Sequence, residues 1–189
     1  MKIIVSSHID TIYKDPYCIF RNGILTGAND NFASMLALGT VLLNPIWMKD
    51  NIEVQFTEDE ELGMDGARSI VKKNNPKDTL IIVMEVTEAK CVKNRLFTVE
   101  NIHEIKVSEI KKALQRHPYR IVMAGTESES WLYAEHGFSV LEVCIPVIGG
   151  IHNLQGKSNI KNIEAVGKAI IALIEYFTDK DIASIRSED

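Results

Sequence analysis

Short runs of aliphatic and β-branched residues alternate along this chain with longer segments in which apolar positions recur every three or four residues. Runs of the first kind lie at 2–6 (KIIVS), 52–57 (IEVQFT), 79–87 (TLIIVMEVT), 95–100 (RLFTVE), 119–124 (YRIVMA) and 139–146 (SVLEVCIP), and each predicts a strand. The segment 31–44 has too little polar punctuation for a surface helix, so a largely buried helix stopped by Pro45 is expected there. Further helices are predicted over 65–74, over 107–117 (Val107, Ile110 and Leu114 on one face), over 128–137 with Gly137 at its end, and over 159–177. That last helix carries Ile163, Val166, Ile170, Leu173, Ile174 and Phe177 on one stripe. The end of the chain, TDKDIASIRSED, is polar and expected to fray.

Strands that alternate with helices point to an α/β fold, a three-layer α/β/α domain around a mostly parallel mixed sheet. No repeat, low-complexity tract or linker interrupts the pattern. One catalytic domain over 1–178, followed by a polar tail at 179–189, is the expected organisation.

Composition narrows the function. Of 189 residues, 46 % are hydrophobic and 25 % charged, ordinary for a globular chain with a real core. A net charge of −5 argues against nucleic acid or an anionic membrane surface as partner. No apolar run approaches the roughly 18 residues needed to span a bilayer, and the apolar start of MKIIVSSH is too short for a signal peptide. Cys18, Cys91 and Cys144 are odd in number and form no C-x-x-C pair, so neither a disulfide framework nor a thiolate zinc site is expected. Cys18 and Cys144 sit in apolar surroundings and read as small core residues, and a reducing cytoplasm is the expected location.

In folds of this class chemistry gathers where strands give way to loops at their C-terminal ends. Strand 2–6 runs into SSHIDT, with His8 and Asp10. LTGANDNFAS brings Asp30 to the start of a helix. Strand 52–57 opens into four consecutive carboxylates, Glu58, Asp59, Glu60 and Glu61. Strand 79–87 carries Glu85 near its end, and the Gly-rich VIGGIHN after the last strand brings His152. A run of carboxylates alone reads as a solvated turn. A carboxylate inside a buried strand is different: it is costly unless a cation or hydrogen bonds meet it, so Glu85 predicts either a lysine partner or a metal. Hard oxygen ligands with two imidazoles and no thiolate suit zinc, or manganese or cobalt, better than calcium. Asp10, two residues beyond His8 in extended chain, is placed to hold the second imidazole nitrogen. His103, His117 and His136 have no carboxylate partner in sequence and are given no role.

The ordered set SSHIDT, TGANDNFAS, FTEDEELGMDGAR, VMEVT and GGIHN resembles the co-catalytic di-zinc exopeptidases. That superfamily includes the bacterial leucyl aminopeptidases, the tetrahedral and glutamyl aminopeptidases, and carboxypeptidase- and deacylase-type relatives. The resemblance runs from about Lys2 to Phe177, and GTESESWLYAEHGFSVLEV resembles the family's segment before its last strand. It implies two divalent metal ions, zinc with manganese or cobalt as alternatives. Asp30 would bridge them, His8 and Glu85 would complete one metal, and Glu61 and His152 the other. It implies Glu60 as general base, Asp10 as the orienter of His8, and a cis Asp30–Asn31 peptide bond.

The implied reaction is hydrolysis of a terminal peptide bond by water activated between two metals, most simply by an aminopeptidase acting on short peptides. An N-acyl amino acid deacylase or carboxypeptidase, or a catalytically weak metal-binding domain, are the alternatives. Relatives carry several tens of residues before the first His motif, and many carry a lid or dimerisation domain. Neither has room here, which leaves a homo-oligomer as one source of the pocket walls. GTESES stands where relatives have Thr-Asp-Ala or Thr-Ser-Ala.

Overall fold

The computed structural model describes residues 1–90, 94–123 and 127–187. In chain order, β1 (Lys2–His8) is followed by β2 (Cys18–Arg21), β3 (Ile24–Gly27), α1 (Asn29–Leu42), β4 (Ile52–Thr57), α2 (Asp65–Lys73) and β5 (Thr79–Thr87). Then come β6 (Phe97–His103), α3 (Val107–Ala113), β7 (Tyr119–Ile121), α4 (Glu129–Glu135), β8 (Ser139–Pro146), β9 (Lys157–Asn159), α5 (Ile160–Phe177) and α6 (Ile182–Ile185).

The main sheet has the order β4-β1-β5-β8-β6-β7. Its strands β4, β1, β5 and β8 run parallel, while β6 pairs antiparallel with β8 and parallel with β7. Helices α1, α3 and α5 pack on one face against Ile3, Val5, Ile82, Met84, Leu141 and Val143. Helices α2 and α4 cover the other, where Ile4, Ile81, Val83 and Val140 meet Ala67, Ile70, Leu132 and Tyr133. The expected three-layer, mostly parallel α/β architecture is therefore present. No helix among the described residues is long and apolar enough to cross a membrane.

Element ends differ from the sequence reading for local reasons. The strand expected at 95–100 runs from Phe97 to His103, and that expected at 119–124 is described only over Tyr119–Ile121, with Ala124 outside the described residues. Helix α1 ends at Leu42, because the residue before a proline avoids helical geometry; Asn44 instead caps a 3₁₀ turn, Pro45–Met48, by accepting from the Ile46 N–H at 2.9 Å. Helix α3 likewise stops at Ala113, well short of Pro118.

As far as Arg186 the tail is docked rather than frayed. Ile185 is fully buried, and the Arg186 guanidinium donates to the Pro76 and Gly137 carbonyls, each at 2.8 Å.

A second sheet, β2-β3-β9, was not expected. Its hairpin turns on Asn22 (φ 51°) and Gly23 (φ 74°), the left-handed pair that a two-residue type I′ turn requires. This small sheet closes beside the C-terminal ends of the main strands, because β9 follows the loop carrying His152.

Candidate metal centre

Four strand ends and one helix start supply the site. His8 is the last residue of β1 and shares the α2/α4 side of the sheet with Ile4 and Ser6. Glu85 lies on the same side of β5, in a strand buried throughout. Asp30 enters from the opposite side, at the start of α1, and its neighbours fix it there. The Asn29 amide donates to the Gly27 and Gly156 carbonyls at 3.1 and 2.9 Å, and the Asn31 amide to the Met84 carbonyl at 3.0 Å. The Asp30–Asn31 bond is cis, as the resemblance implied.

The acidic run leaves β4 as a tight turn. The Asp59 carbonyl accepts from the Gly63 and Met64 N–H groups at 2.9 and 2.5 Å, and α2 begins at once. Gly66 permits this close return, since a Cβ there would lie 2.6 Å from the Glu58 nitrogen. Glu58 is exposed, in keeping with the solvated part expected for it, and Glu60 and Glu61 are half-buried. Asp10 holds the turn: its two carboxylate oxygens accept from the Glu60 and Glu61 backbone N–H groups at 3.3 and 3.2 Å. The same carboxylate stands 3.5 Å from His8 Nδ1.

The five predicted ligand residues come together in two overlapping groups. Asp30 Oδ1 and Glu85 Oε2 each lie 3.1 Å from His8 Nε2. Asp30 Oδ2 lies 3.1 Å, and Glu61 Oε2 3.5 Å, from His152 Nε2. One carboxylate thus offers an oxygen to each group. Glu60 can also join His8 and Glu61 within ligand distance.

These spacings suit metal ions. Bonds of about 2.0–2.1 Å in a tetrahedral shell put neighbouring donor atoms about 3.3 Å apart. Three buried atoms, His8 Nδ1, Asp30 Oδ1 and Glu61 Oε1, have no hydrogen-bond partner among the described residues. The lysine ion pairs described lie elsewhere, on Glu53 and Glu109, so no lysine among the described residues partners Glu85.

The electrostatics carry the same strain. Burial alone would lower the His8 pKa, but the Glu85 and Asp30 carboxylates push it up to about 12. Burial raises Glu85 well above the usual carboxylate range, with His8 opposing. Burial also raises Glu60, to about 7; Asp30, Glu61 and Glu129 push the same way and His8 against. Like charges crowded at partial burial are stable only with protons or cations among them.

Two nearby residues escaped the sequence reading. The Tyr13 hydroxyl is buried without a hydrogen-bond partner among the described residues, and Asp30 and Glu61 raise its pKa after burial does. Glu129, at the start of α4, is 1 % exposed and accepts from Ser6 Oγ at 2.8 Å, two residues before His8. Tyr13 sits in no motif; Glu129 lies in the GTESES segment but was given no role there. Cys144 is buried and Cys18 half-buried, while Cys91, and Gly125 and Thr126 of GTESES, lie outside the described residues.

A family model, peptidase family M28, matches residues 1–139. No curated protein sequence matches the chain. Among solved structures, aminopeptidase PepT from Bacillus cereus superposes with a TM-score of 0.69 at 11 % identity, covering 94 % of this chain and 81 % of that one. An aminopeptidase from the archaeon Desulfurococcus kamchatkensis gives 0.65 at 18 % identity, covering 92 % of this chain and 55 % of that one. The Pyrococcus horikoshii TET1 peptidase, which can assemble into a tetrahedron or a large octahedral shell, gives 0.64 at 15 % identity, covering 84 % and 52 %. The chain thus spans about half the length of the two archaeal proteins. At these identities the likeness establishes the shared fold.

Proposed function

The chain belongs to peptidase family M28, and from that premise we propose that it is a metal-dependent exopeptidase, an aminopeptidase acting on short peptides. The observation that carries this reading is the bridging geometry of Asp30, whose two oxygens each stand 3.1 Å from a different imidazole. His8 and Glu85 would hold one divalent ion with Asp30, and Glu61 and His152 a second, zinc by preference and manganese or cobalt as alternatives. Such ions would supply Lewis-acid polarisation of the scissile carbonyl and a nucleophile at neutral pH.

The chain's own residues do the rest. Glu60 takes a proton from the attacking water as its oxygen bonds to the carbonyl carbon. It returns that proton to the amine nitrogen as the C–N bond breaks. A carboxyl raised to about 7 is matched to both halves of this task. Asp10 keeps the base and the ligand Glu61 in register by holding both backbone N–H groups. The aminopeptidases among the structural neighbours support the aminopeptidase reading, and the Pyrococcus assembly supports a homo-oligomer. A cytoplasmic site of action agrees with the cysteine usage.

The test begins with metal content. Elemental analysis after incubation with zinc and gel filtration is expected to give about two ions per chain, and about none in folded protein would sink the proposal. A panel of aminoacyl and N-acyl amides then separates aminopeptidase from deacylase, with turnover expected on the aminoacyl set.

A further inference from the structure

Strand β4 is one edge of the main sheet, and it is regular along its length. Its six residues pair with β1 in unbroken register from Ile3–Ile52 to His8–Thr57, with neither bulge nor proline. The Asn51 and Thr57 carbonyls accept from the Ile3 and Ile9 N–H groups of the β1 segment. In a parallel ladder alternate residues bond to the same neighbour, so 51, 53, 55 and 57 turn their backbone groups toward β1. Ile52, Val54 and Phe56 turn theirs outward. The Ile52 N–H is taken by the Lys49 carbonyl at 3.0 Å. Among the described residues, what remains open is the Ile52 carbonyl and both groups of Val54 and Phe56.

The side chains of these three residues share the α1 face. Ile52 is in the core, Val54 packs partly against it, and Phe56 is 49 % exposed. The core therefore reaches the sheet edge and stops there uncovered, flanked by exposed Leu43, Trp47 and Met48. A cavity of about 550 Å³ runs along this edge, lined by Leu42, Trp47 and β4 itself.

We propose that this edge pairs with the same edge of a second copy, β4 antiparallel to β4 about a two-fold axis through Val54. Self-pairing in this register meets each open backbone group with its complement except the Phe56 carbonyl, whose complement, the Ile52 N–H, is already held by Lys49. Val54 exchanges two bonds with its symmetry mate, and the Phe56 N–H donates to the open Ile52 carbonyl of the other copy. It sets Ile52 opposite Phe56 on the apolar face, where Trp47 of each copy flanks the seam. On the other face it sets Glu53 opposite Gln55, a carboxylate against an amide donor, so no like charges stand directly opposed. Within one chain the same two side chains already bond, Gln55 Nε2 donating to Glu53 Oε2 at 2.6 Å, so the pair keeps its chemistry when shared. The interface is isologous and closes at two copies. Because the strands run in opposite directions, the two acidic turns leave on opposite sides, and both candidate metal centres stay open. The proposal does not depend on the hydrolase reading.

Sedimentation of the full chain at tens of micromolar is expected to give twice the 21.2 kDa chain mass. Val54→Pro, which removes the central donor, is expected to give a monomer, and retained circular dichroism shows whether it folds. A second arm holds if it does not. Paired residues that exchange backbone bonds stand about 5.5 Å apart at Cα, within disulfide range. Under mild oxidation Val54→Cys is therefore expected to yield a covalent dimer on a non-reducing gel, with Gln55→Cys and the parent chain far less. A monomeric parent chain overturns the proposal, as does equal cross-linking of the two cysteine variants. Monomer that binds only a foreign extended peptide along β4 overturns it too.

Discussion

The two faces of the main sheet are made from the same strands and obey different rules. On the α1/α5 face of β5, Leu80, Ile82, Met84 and Val86 are apolar to the end of the strand. On the α2/α4 face the same strand gives Ile81 and Val83, and then Glu85 and Thr87. Strand β1 switches from Ile4 to Ser6 and His8, and β8 from Val140 to Glu142 and Cys144. Along β5 one face is thus apolar to the strand's end; the other is apolar for half its depth and polar toward the strand ends. Every buried carboxylate in that polar half has to be met. Glu142 is met by hydroxyl and amide donors from Ser128, Ser130 and Asn101, each at 2.7 Å. Among the described residues, Glu85 is met only by His8 at 3.1 Å and the Val86 N–H at 2.8 Å. The first arrangement is finished without a ligand and the second asks for one. Burial holds the fold on one face, and the other gives up burial to keep charge in place.

The largest expected effect separates chemistry from folding. Glu60→Gln keeps the shape of the turn and removes the base, so turnover of aminoacyl amides should fall about 10²–10⁴-fold. The melting midpoint should hardly move, because Glu60 is half-buried and belongs to neither hydrophobic cluster. A variant that keeps parental turnover removes Glu60 from the mechanism. The converse comes from the other face. Ile82 is fully buried there, and Ile82→Ala should cost about 2–5 kcal/mol in a urea titration. Below its midpoint the variant should still bind metal like the parent chain. If it lost metal in the folded state, the two faces would not be independent.

Much of this division was legible in the sequence, because it is written in period and position. A strand buried on both sides reads as a continuous apolar run, and in TLIIVMEVT the single carboxylate stood out against that run. His8, Asp30 and His152 were legible from their places after strands or before a helix. What escaped was whatever depends on contacts between distant segments. The hairpin β2-β3 has strands of only four residues each, too short to show a clear period, although Asn22-Gly23 between CIF and ILT was a turn signal that could have been used. Strand β9 has three residues and forms because β3, with Ile148 beside it, offers it partners. The docked tail rests on Ile185 and Arg186, in a segment whose composition is mostly polar. Glu129 and Tyr13 reach the site by packing, which no spacing encodes.

A smaller effect is expected from Asp10, which touches the site through other groups. Asp10→Asn puts an amide where two backbone N–H groups and His8 Nδ1 now face carboxylate oxygens at 3.2 to 3.5 Å. Zinc affinity, measured by competition with a chromophoric chelator, should fall roughly 10–100-fold while urea stability stays near the parent value. Unchanged affinity would reduce Asp10 to a brace for the turn.

The smallest effect lies in the pH dependence of metal-stripped protein, and its sign follows from the polar face alone. Burial raises the Glu60 pKa from 4.5 to about 7, so the folded state favours its protonated form. The stability linked to that proton is complete below about pH 4.5 and is withdrawn as pH rises through 7. His8 acts in the same direction: with a folded pKa near 12, its contribution is full below 6.5 and declines at higher pH. Glu109, between Lys112 and Lys180, is held down near 2 and works the other way, but its contribution is lost only as pH falls below 4.5 toward 2. Between pH 5 and 7.5 the two effects are therefore separated. In chelator-treated protein the melting midpoint should drop by a few degrees across that window, and Glu60→Gln should flatten part of the drop. Added zinc should reverse the slope, because ligation needs His8 and the carboxylates without their protons. A stripped protein whose midpoint is flat or rising from pH 5 to 7.5 would mean that these carboxylates are solvated like those of an ordinary turn.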